Sequence, residues 1–210
     1  MTAVAAAPAP AAIAVDVAFD VAGTSVPADH AWALLQEVEA LLPWLAEEPA
    51  AGIHPLRTAP TTYGVALLAQ RTKLVLRVPE ARLPDALALA GAVLDVGGSR
   101  LAVGNGQSRA LRPSATLSAQ RVASAAAEVG AFEAEVAQWL AALRIGGRYI
   151  AGRPRHGRAG DREIAGFALA LHGLSATDSL RIQSEGMGPD RRAGWGLFVP
   201  AKAITATAGA

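Results

Sequence analysis

The sequence predicts an α+β fold made of two tandem βαββαβ units, on three observations. Residues 13–21 alternate strictly between apolar and small or acidic side chains, the mark of a half-buried strand. The order strand, helix, strand, strand, helix, strand can be read twice along the chain. The 210 residues are 52% apolar and 18% charged, a composition that excludes a disordered chain and suffices for a sizeable core.

In the first unit Ile13, Val15, Val17, Phe19 and Val21 share one face of the opening strand, with Ala14, Asp16, Ala18 and Asp20 on the other. Gly23, Thr24 and Ser25 turn the chain. Past Pro27, residues Ala31, Leu34, Leu35, Val38, Leu41, Leu42 and Leu45 recur at helical spacing, predicting an amphipathic helix that ends near Pro43. A proline-rich loop leads to Tyr63–Ala69 and Lys73–Val78, which read as a hairpin around Gln70–Thr72. A short helix over Pro84–Ala90 stops at Gly91, and Ala92–Val96 and Arg100–Val103 are strand pieces around Gly97 and Gly98.

The second unit opens with a strand in Leu111–Val122. A helix follows with Val129, Phe132, Val136, Leu140 and Leu143 on its face, closed by Gly146 and Gly147. Arg148–Arg153 is a short strand, followed by a basic Gly/Pro loop and a strong strand, Ile164–Leu171. Ser175 with Asp178 resembles a capping box opening a helix that ends at Gly186, and Leu197–Ile204 supplies the last strand. The order is that of the ferredoxin-like, or RRM-like, fold. The expected organisation is a flexible Ala/Pro leader at 1–12, one ferredoxin-like domain at 13–108 and a second at 109–210.

Without cysteine the chain has no disulfide framework, zinc finger or cysteine nucleophile, which suits the cytoplasm. The leader lacks the basic start and apolar core of a signal peptide, and every other apolar stretch is broken well short of the ~18 residues of a membrane span. No membrane partner, metal or other cofactor is expected. The net charge of +1 conceals polarity. Residues 1–143 carry 9 basic and 13 acidic groups, whereas 144–210 carry 10 basic and 5 acidic.

Two clusters in the basic half have the chemistry of phosphate recognition. In GMGPDRRAGWG, Gly186, Gly188, Gly194 and Gly196 flank Arg191 and Arg192, so backbone N–H groups and guanidiniums share one loop. A dinucleotide fingerprint is excluded, since its glycine loop joins a strand to a following helix and here a helix precedes. In RYIAGRPRHGR, with Arg144 upstream, Arg148, Arg153, Arg155, His156 and Arg158 surround Tyr149. Arginine suits bidentate phosphate contact and base stacking. The bland alternatives are a glycine turn beside an edge strand and a solvated hairpin loop. Of the histidines, His30 lies at the first helix's N-terminus, where the imidazole stays neutral and can serve as a base. His54 lies in a Pro-flanked loop, His156 in the basic loop and His172 at a strand end, with a packing role.

The stretches VPADHAWALLQEVEALLPWL, GIHPL and GFALALHGLSATDSLRIQSEGMGPDRRAGWGLFVPAK resemble the CRISPR-associated endoribonucleases that process the precursor RNA of the CRISPR array, the sixth-named Cas family. They look most like the variant of Myxan-type type I systems, over roughly residues 13–204. The resemblance implies metal-independent cleavage within each repeat, leaving a 2′,3′-cyclic phosphate and a 5′-OH. By position, His30 matches the family's first-helix histidine as general base, with His54 as the second candidate and Tyr149 or an arginine of the basic cluster as electrostatic help. The Tyr or Lys that many members add nearby is absent from this helix, which leaves the general acid unassigned. The resemblance further implies repeat-RNA contacts by the glycine loop, the basic cluster and Lys202, a retained repeat hairpin, and other Cas subunits of a type I effector complex as partners. Two other functions compete: a non-catalytic crRNA-binding scaffold of the same architecture, and a ferredoxin-like regulator that binds a small molecule and has no need of the arginine clusters.

Overall fold

The structure, a computed structural model, describes residues 13–60 and 63–202. The expected leader at 1–12 and the end of the expected last strand, 203–204, lie outside them. The first half runs β1 (Ala14–Ala22), β2 (Ser25–Pro27), α1 (Ala31–Leu41), β3 (Gly52–Ile53), β4 (Thr58–Pro60), β5 (Val65–Leu68), β6 (Lys73–Pro79), α2 (Leu83–Leu87), β7 (Val93–Val96) and β8 (Ser99–Ala110). The second runs β9 (Thr116–Ala123), α3 (Val129–Leu143), β10 (Arg148–Ala159), β11 (Arg162–His172), α4 (Ala176–Glu185) and β12 (Val199–Pro200).

Each half closes on an antiparallel sheet with its first strand inside. The orders are β3-β6-β1-β8-β7 and β10-β11-β9-β12. Without the added edge β7, both follow the ferredoxin-like arrangement, so the α+β class and the tandem units stand. β1 explains the layering. Its Val15, Val17 and Phe19 enter the first core with Leu34, Leu35 and Val38 of α1, while Asp16 and Ala18 face a cleft shared with the second sheet. α1 stops at Leu41 because Pro43 forces the preceding Leu42 out of the helical region, to φ −123 and ψ 71. The second core gathers Leu117, Ala119 and Val122 of β9, Phe132, Val136 and Leu140 of α3, and Ile182 of α4. Trp195, 1% exposed, belongs to the first core although it comes from the second half, and so plugs one half into the other.

Four expectations are corrected. β5 and β6 are not a hairpin: β5 lies between β2 and β4 in a separate three-stranded sheet, and β6 pairs with β1 and β3. The turn between them carries the chain from one sheet to the other, held by Thr72 Oγ1 donating to Arg57 O at 2.7 Å. The basic segment after Arg153 is not a loop but the continuation of β10, paired with β11 as far as Ala159↔Arg162, since Pro154 on an edge strand costs no ladder bond. The first strand of the second half starts at Thr116 rather than Leu111, after β8 has run past the expected division to Ala110. The last described strand is only Val199–Pro200, because Leu197 and Phe198 are buried in the approach to it.

Candidate active site and nucleic-acid interface

His30 sits at the residue before α1, on the chain leaving β2. Its Nδ1 lies 3.0 Å from Pro27 O. A carbonyl only accepts, so Nδ1 carries the proton and Nε2 keeps the lone pair. Nε2 is enclosed and has no hydrogen-bond partner among the described residues. His30 lines a narrow pocket, too small to hold a water molecule, with Ile53, His54, Pro55, Arg121 and Ala193. Burial pushes the His30 pKa below the ordinary histidine value; the Pro27 hydrogen bond opposes this and the Arg121 charge adds to it. The result is a neutral imidazole with a fixed tautomer.

The structure thus brings His54 to the same pocket as His30. His54 also lines the cleft between the sheets. Its Nε2, however, is 3.5 Å from Asp16 Oδ1. Burial lowers the His54 pKa against the raising effect of Asp16. A neutral imidazole turned to a carboxylate is poorly placed to give up a proton. Asp16 is itself held by Arg77, whose Nε donates to Oδ1 at 2.7 Å and Nη2 to Oδ2 at 2.9 Å. Burial resists ionisation of Asp16, but the His54 and Arg77 contacts outweigh it and keep the carboxyl well below the usual carboxylate range. Arg77 Nη1 also donates to Gln183 O at 3.1 Å and Phe198 O at 2.6 Å, tying the first sheet to the second half.

The glycine loop requires correction in part. Arg191 is 8% exposed and points inward. Its Nε donates to Ala50 O at 2.9 Å and its Nη2 to Gln183 O at 3.2 Å and Ser184 O at 2.7 Å. These carbonyls take Nε and Nη2, while Nη1 is buried and without a hydrogen-bond partner among the described residues, so no donor of Arg191 reaches the surface where a phosphate would sit. Gly194 and Gly196 are buried. A Cβ on Gly194, at φ 87, would stand 2.6 Å from Ile53 O, so glycine here allows the loop to close on β3. The N–H groups of Ala193, Gly194, Trp195 and Gly196 donate to Asp190 O, Arg191 O, Asp190 O and Arg121 O. Only Gly188 is exposed among the four glycines; Gly186 is half-buried. Arg192 Nη1 donates to Glu39 Oε1 of α1 at 2.7 Å, with its side chain 38% exposed.

The second basic cluster faces outward. Arg148, Arg153, Arg155, His156 and Arg158 are exposed along β10, and Arg144 is exposed at the end of α3. Tyr149 packs partly buried against the second core. Arg155 Nε donates to Gln120 O at 3.1 Å, on the rim of the cleft. The β10–β11 turn rests on α1, where a Cβ on Gly160 would meet Trp32 Nε1 at 3.7 Å. The basic strand therefore leads towards the His30 end of the helix. Lys202 is exposed at the end of the described chain.

Between the helix-free faces of the two sheets lies the cleft, about 550 Å³, with Asp16, Ala18 and Val75 on one side and Ser118, Gln120 and Val199 on the other. Arg57, Arg71, Lys73 and Arg109 also line it. Lys73 is paired with Asp20. Sequence reasoning passed over these cations because they come one by one from separate segments of the acidic half. The acidic face of β1 was the one signal of where such a cleft lies. Arg121 was also missed: it is a single arginine inside a strand.

A protein-family model described as Cas6 Crispr matches residues 15–203. The CRISPR-associated endonuclease Cas6 of Myxococcus xanthus (strain DK1622) is 38% identical over 187 residues, covering 89% of this chain and 81% of the relative. Among solved structures, a CRISPR-associated protein Cas6 superposes with a TM-score of 0.64 at 10% identity, covering 91% of this chain and 100% of the other. An RAMP protein described as binding different RNA substrates gives 0.59 at 12% identity, covering 90% and 100%.

Proposed function

The chain belongs to the Cas6 family, and on that premise we propose that it is the endoribonuclease that cuts CRISPR precursor RNA within the repeats to give mature crRNA. The observation that carries the reading is His30: a neutral imidazole, Nδ1–H held by Pro27 O, Nε2 without a partner. A buried acceptor left unpaired costs about 1–3 kcal/mol, a cost with a purpose if the acceptor takes a proton from substrate. In the reaction the 2′-oxygen bonds to the adjacent phosphorus as the bond to the 5′-oxygen breaks. The 2′-OH proton passes to His30 Nε2, and solvent protonates the departing 5′-oxygen. The products are a 2′,3′-cyclic phosphate and a 5′-OH. Since Nε2 is enclosed, the Pro55 wall moves aside to admit the RNA.

The exposed arginines of β10, with Arg144, hold the repeat stem through its phosphates, and the cations of the cleft receive the single strand. Arg192, Gly188 and Lys202 flank that path. His54 positions the pocket through Asp16 instead of supplying the acid. The product hairpin stays bound, as in a subunit of a type I effector complex, and the work is done in the cytoplasm. Among the described residues no helix is long and apolar enough to cross a membrane.

The enclosed Nε2 favours one competing reading, a crRNA-holding scaffold without activity. Labelled repeat RNA incubated with the protein in EDTA separates the two. The expected result is one cut per repeat with a cyclic phosphate that acid opens. Binding with intact RNA would establish the scaffold.

A further inference from the structure

The described reaction leaves one need unmet: positive charge for the phosphorane-like transition state, whose non-bridging oxygens gain negative charge as the 2′-oxygen attacks. The expected source was Tyr149 or an arginine of the basic cluster, but Tyr149 packs against the second core, the arginines are strung along an exposed strand, and Arg191 is turned into the protein. A different arginine stands in the His30 pocket.

We propose that Arg121 is a catalytic residue that binds a non-bridging oxygen of the scissile phosphate beside His30. Its placement comes from a β-bulge. Simple alternation along β9 would put Arg121 with Leu117 and Ala119 in the second core. The register with β11 shifts between Ala119↔Leu169 and Val122↔Phe167, so that Gln120 and Arg121 together oppose Ala168. Val122 takes the core position, and Arg121 turns to the opposite side, toward the other half of the molecule. Bulges re-aim side chains in this way beside active sites.

The guanidinium is then fixed on two sides. Nε donates to Gly194 O at 3.2 Å and Nη2 to Ala193 O at 2.8 Å. Its plane lies over the Trp195 ring, 5.1 Å from the centroid. A Cβ on Gly157 would stand 3.1 Å from Trp195 Cζ2, so the glycine lets the Trp195 ring lie flat beneath the guanidinium. Nη1 makes no hydrogen bond to any described residue. No carboxylate makes an ion pair with Arg121 among the described residues, and the Asp29 charge acts on it only from beyond ion-pair distance. A cation held by carbonyls and a ring, with one amino group left over, is preorganised for an anion rather than neutralised by one. Arg121 and His30 share the same pocket.

The proposal rests on the endoribonuclease reading, so its test carries a separate arm for that reading. Single-turnover cleavage of repeat RNA is measured for the wild type, His30→Ala, Arg121→Gln and Arg121→Lys. Arg121→Gln is expected to cut about 100-fold more slowly with repeat affinity retained, and Arg121→Lys to recover part of the loss. The acidic limb of the pH–rate profile, set by His30 amid Arg121, Asp29 and His54, moves to higher pH in Arg121→Gln because a neighbouring positive charge is gone. Arg121→Lys, which keeps the charge, leaves that limb in place, and a merely structural arginine would leave the cleavage rate at the pH optimum unchanged in Arg121→Gln. Arg121→Gln cutting at the wild-type rate while His30→Ala is dead overturns this inference alone; an active His30→Ala overturns the reading beneath it. If Arg121→Gln does not fold, the wild type decides with Rp and Sp phosphorothioates at the scissile position. One diastereomer is expected to be cut at least about 10-fold more slowly. Equal rates for the two overturn the proposal.

Discussion

The glycine loop and the β10 strand carry the same residue types, arginine and glycine, and the structure uses them in opposite ways. In the loop, Arg191 finds two backbone carbonyls at the end of the preceding helix and a third, Ala50 O, in the other half, and becomes an internal tie between the halves. On β10, five basic side chains point away from the protein; Arg155 donates through Nε to Gln120 O, which leaves the rest of that guanidinium open to solvent. A cluster's composition therefore does not set its role. What matters is whether protein acceptors already satisfy its donors.

This contrast can be broken most severely at Arg191. Arg191→Ala would leave the carbonyls of Ala50 and Ser184 without their charged donor and Gln183 O with Arg77 alone, and the protein should lose about 3 kcal/mol of stability in urea unfolding. A variant of unchanged stability but weakened RNA binding would instead return Arg191 to the RNA-binding surface. The reverse is expected of Arg148, Arg153 and Arg158. Replacing all three with Ala should leave the melting temperature unchanged. It should weaken repeat binding and flatten the dependence of log Kd on log salt by about 0.9 for each phosphate that the variant no longer neutralises. If the salt slope stays as in the wild type, the strand is only a solvated edge.

The smallest effect concerns pH. Burial lowers the pKa of His30 and His54 in the folded protein. The unfolded chain therefore takes up protons first as pH falls. The stability that these groups contribute is complete above about pH 6.5 and declines as pH drops through their lower folded values. Asp16 acts in the same sense at still lower pH. Urea midpoints at pH 8 and pH 5 should show the decline, and a His54→Asn variant should show less of it.

Elements whose information is local were legible in the sequence. The alternation of Val15, Val17 and Phe19, the spacing of Leu34, Leu35 and Val38, and the Ser175 cap, whose Oγ accepts from Asp178 N at 3.1 Å, all have their counterparts in the structure. His30 was legible as well, since its position at a helix start is itself local. What escaped depended on partners far along the chain. Whether Tyr63–Ala69 pairs with Lys73–Val78 or with β2 is decided by sheet assembly. The burial of Arg191 depends on Ala50, 141 residues away. The turning of Arg121 depends on a bulge against Ala168, which no periodicity announces because a bulge is a break in periodicity. The cleft cations were hidden for a related reason: Arg57, Arg71 and Arg109 converge only when the two sheets face one another.

His30 as the base is the centre of the proposed reaction, and the most direct measurement is the cleavage and binding of repeat RNA by His30→Ala. Cleavage should fall by about 100-fold or more, while affinity for the repeat and the melting temperature remain those of the wild type. Cleavage at the wild-type rate, with the cut at the same phosphate, would contradict that role and move the chemistry away from this pocket.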